Sequence, residues 1–337
     1  MHMADALLSP VVGGAFWAAS AGLIGWSSRR IATESDGSKT VLMGVLGAFV
    51  FAAQMINFTI PGTGSSGHIG GGLLLAVLLG PWRAIITIAS VLVIQALLFA
   101  DGGLLALGCN IFNLGVFPAL LAWPLIYRPV AGDARSPSRL FAGSILAAVA
   151  SIEMGALSVV LQTTASGISD LPFRSFLLFM LPIHLAIGIV EGVVTWGVLS
   201  FVSKSEPELL SGRATPSGKG TVRSAILFAA LLVGGSLSWL ASKLPDGLEW
   251  SIMKSSGRSE LAVPTDTVHD ILATLQNRLA ILPDYNFRDS DRVSPTGAEP
   301  ASSFSPGTSV SGIAGSLLVL LLAGSGGLLF RKRQQRS

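Results

Sequence analysis

Nine apolar segments, separated by polar stretches, dominate the chain. They span approximately 10–28, 40–58, 69–80, 83–100, 103–126, 140–164, 173–202, 222–241 and 309–330. Runs of about 20 apolar residues are typical of helices that cross a bilayer, whose hydrocarbon core is about 30 Å thick. The segment 69–80 is too short to cross a full bilayer alone. We therefore expect it to cross where the bilayer is thinned, or to begin part-way through the bilayer after a buried loop. The pattern therefore predicts an all-α integral membrane protein.

The composition agrees with a membrane protein. Of the 337 residues, 50% are hydrophobic and only 12% are charged, and the mean hydropathy is +0.66. Soluble domains carry about 25% charged residues. The net charge of +3 gives no reason to expect a nucleic-acid partner. The single cysteine, Cys109, excludes an internal disulfide and a CxxC metal site.

The lysine and arginine residues favour one orientation. If the N-terminus lies outside, 15 of the 22 basic residues fall on the cytoplasmic side, and only Arg174 falls in a short outer loop. We therefore predict a multi-pass protein of the bacterial cell membrane, with its N-terminus outside and its C-terminus in the cytoplasm. The first basic residue is Arg29, so a signal peptide is not expected, and Met1 and His2 are expected to remain in the mature chain.

Composition divides the chain into two membrane parts. Residues 1–202 contain seven of the apolar segments and are predicted to form a seven-helix bundle. The polar stretch 203–221 is interpreted as a cytoplasmic linker. Residues 222–337 are predicted to form a two-helix hairpin, whose connecting segment 243–308 lies outside and is irregular toward GAEPASSFSPGTS.

Three unusual stretches share the side that this topology places outside, MHMAD, the loop at 57–72 and the turn at 100–104, and two of them carry a histidine. The two histidines are His2, in MHMAD, and His68, in the loop NFTIPGTGSSGHIGGG at 57–72. A free α-amine on Met1, the amide nitrogen of His2 and its Nδ1 can close a five-membered and a six-membered chelate ring, and His68 would supply a fourth nitrogen. A square-planar set of four nitrogens suits Ni²⁺ or Cu²⁺. The residues alone leave open that His2 is incidental and His68 an ordinary loop residue.

The same loop permits a second interpretation. Gly64-Ser65-Ser66-Gly67 forms a GxSG pattern, which, with His184 on a later span, resembles the dyad of rhomboid-type intramembrane serine proteases. The surroundings of His184 do not fit, because rhomboids have HxxGxxxG and this chain has HxxxGxxxG. No phosphate-binding GxxxxGK[ST] motif is present.

Three residues of one span repeat on a single helix face. They are His184, Gly188 and Glu191. Ionisable residues inside a span usually face the bundle interior or a polar cavity. One interpretation is that these residues support the metal ligands from behind, or that they couple metal binding to transport. The other, which we favour, is a packing face on which Gly188 and Gly192 contact another helix.

Further polar residues lie in or near the spans. They are Gln54, Asn57, Gln95, Asn110, Asn113 and Glu153. We expect them to satisfy exposed backbone groups around the loop. Asn57 is a candidate for the second shell of the metal site, and Asp101, in the outer turn ADGGL at 100–104, is a candidate for supporting the N-terminus.

Several motifs resemble a known family. The N-terminal Met-His and the stretches GSSGHIGGGLLLAVLLGPW, LLFADGGLLALGCNIFNLGV and HLAIGIVEGVVT resemble the substrate-specific component of nickel and cobalt energy-coupling factor transporters, the NikM/CbiM family. The resemblance covers about 1–202 and implies metal ligands at Met1, His2 and His68. The family often begins MHIxxGFL, so Ala6 replaces a glycine. LPDGLEWS at 244–251 resembles the PDGLE segment of the NikN/CbiN partner, which implies a fused protein.

The resemblance also implies how the protein works. Such a component binds Ni²⁺ or Co²⁺ as the transported substrate, while a membrane coupling protein and cytoplasmic ATPases supply energy. We expect no catalytic residue and no cofactor of its own, and the absence of a Walker motif agrees. The alternatives are an ATP-independent metal or solute permease, the intramembrane protease, and a membrane anchor for the outer segment.

Overall fold

The computed structural model describes most of the chain. The described residues are 2–33, 38–132, 136–211, 220–258, 261–262, 264–288 and 305–332. Thirteen helices lie within them: α1 (Pro10–Ala32), α2 (Ser38–Gln54), α3 (Gly72–Leu79), α4 (Pro81–Leu98), α5 (Leu107–Val116), α6 (Arg128–Ala131), α7 (Pro137–Ser166), α8 (Phe173–Ser205), α9 (Glu208–Ser211), α10 (Thr221–Gly235), α11 (Gly247–Ser256), α12 (Thr267–Leu279) and α13 (Pro306–Lys332). A π-helical stretch, Phe117–Tyr127, joins α5 to α6.

Each of the nine apolar segments contains a helix, and the protein is an all-α integral membrane protein. In the described residues, five helical stretches are long and apolar enough to cross a membrane: Pro81–Leu98, Leu107–Ala131, Pro137–Ser166, Phe173–Ser205 and Pro306–Gly326. Lys39–Gln54 and Thr221–Gly235 are apolar but shorter. The eight residues of α3 are almost all buried, which agrees with a segment that begins after a buried loop.

The loop before α3 is a short β-hairpin. Its strands, β1 (Phe58–Ile60) and β2 (Ser65–Gly67), pair antiparallel, with Phe58 opposite Gly67. Gly62 and Gly64, in the turn between the strands, have φ angles of 77° and 74°, which favour glycine. The hairpin thereby delivers His68 into the protein at the end of β2.

The connecting segment of the C-terminal hairpin is more ordered than its composition indicated. It contains α11 and α12, and each is capped by an aspartate, Asp246 and Asp266, that accepts two main-chain N–H groups. Most of GAEPASSFSPGTS lies outside the described residues. The stretch interpreted as a linker, 203–221, includes the end of α8 and the short α9, and its residues 212–219 lie outside the described part.

Small residues set the helix packing in both parts. A Cβ added at Gly192 would lie 2.7 Å from the Cα of Ile145, and one at Gly188 would lie 2.9 Å from the Cα of Val149. The backbones of α7 and α8 are therefore in contact, as in other small-residue helix pairs in membranes. The last helix, α13, packs against α2 and α10, so the hairpin is part of the same bundle.

We predict that Gly192→Leu destabilises the protein by about 1–3 kcal/mol, because the new side chain must force α7 and α8 apart. Gly197→Leu is the matched control, since a Cβ there meets nothing within 4 Å. Thermal unfolding in detergent micelles checks both. Equal melting temperatures for the two variants would contradict the packing of α8 on α7.

Candidate metal-binding site

The N-terminal segment turns into the protein and is held through its main chain. The Met3 side chain is fully buried. Its amide N–H donates to Oδ1 of Asn110 at 2.9 Å, and its carbonyl accepts from the N–H of Gly103 at 2.9 Å and from Nδ2 of Asn110 at 3.3 Å. Asp5 accepts the N–H of Ala106 at 2.9 Å. These bonds fix the chain immediately after His2.

The His2 side chain is buried and has two different nitrogens. Its Nδ1 lies 2.8 Å from Oδ1 of Asp101, and its Nε2 is buried without a hydrogen-bond partner in the described residues. Burial opposes ionisation of Asp101, but the His2 imidazole and the Tyr285 hydroxyl hold the pKa of that carboxyl below its usual range. A histidine with one nitrogen on a carboxylate and the other unpartnered is the usual arrangement of a metal ligand.

His68 lies beside His2 on a firmly held loop. The two imidazoles stack with their centroids 5.0 Å apart and their planes 23° from parallel. Burial, and to a smaller extent His2, lowers the pKa of His68 to about 3, so the ring is neutral as a ligand requires. Because the rings stack, their nitrogens do not converge on one point, and binding both to one ion requires an imidazole to rotate.

Two polar side chains inside the bundle hold the end of this loop. Glu191 accepts the N–H groups of Gly70 at 2.8 Å and Gly71 at 3.0 Å. Gln54 donates its Nε2 to the carbonyl of Gly70 at 2.8 Å, and itself accepts from Gln95. The packing of Gly188 and Gly192 and the support of the loop by Glu191 therefore occur together on α8, where the sequence favoured packing alone.

A cavity of about 620 Å³ opens onto the two histidines. Carboxylates of Asp5, Asp101, Asp246, Glu249 and Asp284 are among the groups that line it, as is Asn57. A much smaller cavity, of about 10 Å³, lies on the other side of His68 and is lined by His184 and Asp246. Within the described residues, no three His, Cys, Asp or Glu side chains are placed to hold a metal ion together.

The PDGLE segment of the C-terminal part packs directly on the histidine loop. Ser66 donates two hydrogen bonds to it, from its N–H to the carbonyl of Pro245 at 2.8 Å and from its hydroxyl to that of Leu244 at 2.7 Å. Oδ2 of Asp246 lies 4.0 Å from Nε2 of His68. A side chain at Gly247 would meet Cε1 of His184 at 3.2 Å.

The second helix of the connecting segment covers the N-terminus. His269 of α12 is buried, bonds Asp266 through Nδ1 at 2.6 Å, and places Nε2 3.0 Å from the carbonyl of Leu8 and 3.2 Å from that of Asp5. Neither this histidine nor Asp246 was among the site residues predicted from the sequence. The PDGLE motif pointed to Asp246, whereas nothing in the sequence connects His269 with the terminus.

The remaining predicted residues are placed as follows. Met1 lies outside the described residues. The Nδ1 of His184 bonds the carbonyl of Met180, and its Nε2 is buried without a partner in the described part. Because the Ser66 hydroxyl donates to Leu244, the hydrogen bond to His184 that the protease interpretation requires is not formed. The main-chain carbonyl of Asn57 accepts from the N–H of Ser242 at 2.7 Å.

Comparison with known proteins gives matches along nearly the whole chain. Residues 2–209 match the family described as cobalt uptake substrate-specific transmembrane region, CbiM, and residues 220–332 match the PDGLE domain. A relative from Archaeoglobus fulgidus, which carries the name of a fused nickel transport protein, NikMN, is 31% identical over 96% of both chains. The cobalt transport protein CbiM of Sorangium cellulosum is 32% identical over 62% of this chain and 94% of its own. A crystal structure of a transition metal transporter superposes with a TM-score of 0.53, at 30% identity, over 60% of this chain and 93% of the other.

Fold, site and matches define a membrane protein of the nickel and cobalt transport class. The chain belongs to the CbiM family of cobalt uptake substrate-specific transmembrane proteins, and a PDGLE domain follows in the same chain, as in the fused NikMN relatives.

We predict that Glu191→Ala lowers the stability of the loop, because two buried N–H groups lose their acceptor at a cost of about 1–3 kcal/mol each. Glu191→Gln, which keeps one carbonyl acceptor, should lose less. Amide exchange at residues 65–71 measures the difference. Native exchange rates in the alanine variant would contradict the support that we assign to Glu191.

We predict that the contact between α12 and the N-terminal segment weakens as the pH rises above the usual pKa of histidine. Burial opposes the charge of His269, but its bonds to Asp266 and to the carbonyls of Asp5 and Leu8 raise its pKa above the usual value. The stabilisation that protonated His269 gives to this contact is therefore complete below about pH 6.5, the pKa of a free histidine. It is lost as the pH rises through the higher pKa of His269 in the folded protein.

Amide exchange at residues 5–8, corrected for intrinsic rates, measures this effect between pH 6 and pH 9. Protection should fall with pH in the native chain and stay level in His269→Gln. A parallel fall in both proteins would assign the effect to another group.

Proposed function

We propose that this protein captures Ni²⁺ and/or Co²⁺ outside the cell, as the substrate component of an ATP-driven importer of the energy-coupling factor type. The observation that carries the proposal is the pair of buried imidazoles, His2 and His68, in contact in the wall of a cavity that is also lined by acidic residues. Carboxylates attract a hydrated dication, and the two imidazoles bind it once water is lost.

In the proposed bound state, the ligands are the amine of Met1, the amide nitrogen and Nδ1 of His2, and an imidazole nitrogen of His68. Nδ1 of His2 must then exchange Asp101 for the metal, and the ring turns so that Nε2–H donates to Asp101 instead. Four nitrogens in a plane favour Ni²⁺, while the relatives include both nickel and cobalt transport proteins.

The proposal includes the rest of the importer. A membrane coupling protein and cytoplasmic ATPases supply the energy, and the N-terminus faces outward while the C-terminus faces the cytoplasm. The division into a metal-binding part (1–202), a cytoplasmic linker (203–221) and a PDGLE hairpin (222–337) follows from that topology. The contact of Ser66 with Leu244 and Pro245 supports a hairpin that covers the loaded site from outside.

One added residue before Met1 tests the chelate. We expect it to abolish high-affinity Ni²⁺ and Co²⁺ binding in titrations of the purified protein, because the amine leaves the chelate while both histidines remain. The same residue added after Ser337 is the control. Unchanged affinity in the N-terminally extended protein would refute the terminal chelate.

The loop histidine is tested separately. His68→Ala should lower the affinity for Ni²⁺ by at least about tenfold, the scale on which a lost ligand or its support weakens a metal site. Ser65→Ala, a nearby change in the same loop, should bind as the native protein does. Equal binding by the two variants would remove His68 from the ligand set.

A further inference from the structure

The Asp101 carboxylate has a second partner, which comes from the C-terminal part of the chain. Its Oδ1 lies 2.8 Å from Nδ1 of His2, and its Oδ2 accepts a hydrogen bond from the Tyr285 hydroxyl at 2.5 Å. Tyr285 thus reaches the metal-binding histidine through one carboxylate. The two oxygens of Asp101 are held from opposite sides, which fixes the plane of the carboxylate.

The segment that carries Tyr285 is attached to the turn that carries Asp101 at several points. Leu282 donates its N–H to the carbonyl of Leu98 at 3.1 Å, and Asp284 donates to that of Phe99 at 2.9 Å. The Tyr285 ring stacks on Phe99, with the centroids 4.8 Å apart and the planes 16° from parallel. Gln276 adds a bond to the carbonyl of Gly102 at 2.7 Å.

Backbone strain is concentrated at this junction. In the described residues, the non-glycine residues with positive φ are Ala100 at 54°, Asp284 at 49° and Tyr285 at 59°. Such conformations are sparsely populated by residues with a Cβ and persist only where the surroundings determine them. Here one lies directly before Asp101 and two lie at Tyr285, so the strained turns face each other across the hydrogen bond.

The Tyr285 hydroxyl remains protonated and can always donate its hydrogen bond to Asp101. The half-buried Tyr285 ring packs on Phe51 and Phe99, and desolvation, together with the Asp101 carboxylate, raises its pKa well above the usual value. It therefore stays protonated, and its hydrogen can only be donated. Without it, Oδ2 of Asp101 loses the donor that fixes it, and the carboxylate, which lines the cavity, is free to turn.

We propose that Tyr285 is a positioning residue of the metal site, supplied by the PDGLE part of the chain, which acts by orienting Asp101 against the His2 imidazole. When one ring nitrogen of a histidine binds a metal, the N–H of the other nitrogen donates to a carboxylate, which orients the ring. Loss of such a carboxylate or of its support typically weakens metal binding 10–100-fold. This inference rests on the proposed binding of metal by His2.

Tyr285→Phe tests the proposal, because it keeps the ring on Phe99 and removes only the hydroxyl. We expect about tenfold weaker Ni²⁺ affinity in titrations of the full-length protein. Tyr127→Phe is the control for loss of a tyrosine hydroxyl, since the Tyr127 hydroxyl has no hydrogen-bond partner among the described residues. Its affinity should equal that of the native protein.

A double-mutant cycle separates positioning from general destabilisation. Asp101→Asn should weaken binding, and adding Tyr285→Phe to it should cause no further loss, because Tyr285 acts through Asp101. Native affinity in Tyr285→Phe, or losses that multiply in the double variant, would overturn the proposal while the metal site itself stands. Failure of the native protein to bind Ni²⁺ or Co²⁺ would instead refute the proposed function.

Discussion

The main chain of Met3, held between Asn110 and Gly103, is the constraint on which the site depends. A chain end normally frays, because nothing repays the entropy lost when it is ordered. Here the hydrogen bonds of Met3, the buried side chains of Leu7 and Leu8, and the carboxylate of Asp5 order it. Only with that segment fixed does His2 meet His68, which a β-hairpin and Glu191 hold from the other side.

The C-terminal part supplies cover and support to that site, while the bundle supplies the two histidines. Asp246 lies near His68, Tyr285 bonds the partner of His2, and His269 bonds the N-terminal segment. Three separated residues of one connecting segment thus converge on the same end of the bundle. Because α13 also packs against α2, the two parts are joined through their helices as well as through the connecting segment.

Much of the fold was predictable, because membrane helices follow from apolar length alone, and all nine apolar segments contain helices. His2, His68 and Asp101 could be proposed from short-range chemistry and topology. The roles of Tyr285 and His269 could not, since each depends on contacts with residues more than 180 positions away. Nothing in the polar composition of 243–308 indicated that α12 would lie over the N-terminus. Glu191 stands out in the sequence as an ionisable residue inside a span. Its hydrogen bond with Gly70 could not be predicted, because it depends on where the loop lies in the folded protein.

The central claim is that His2 and His68 hold one metal ion together with main-chain nitrogen. Electron paramagnetic resonance of the Cu²⁺-loaded protein tests it most directly, because Cu²⁺ accepts the same square-planar nitrogen set as Ni²⁺. With ¹⁵N introduced selectively into histidine, the pulsed spectrum should show two coordinated imidazoles, and one should vanish in His68→Ala. A spectrum with a single imidazole in the native protein, unchanged in that variant, would contradict the account.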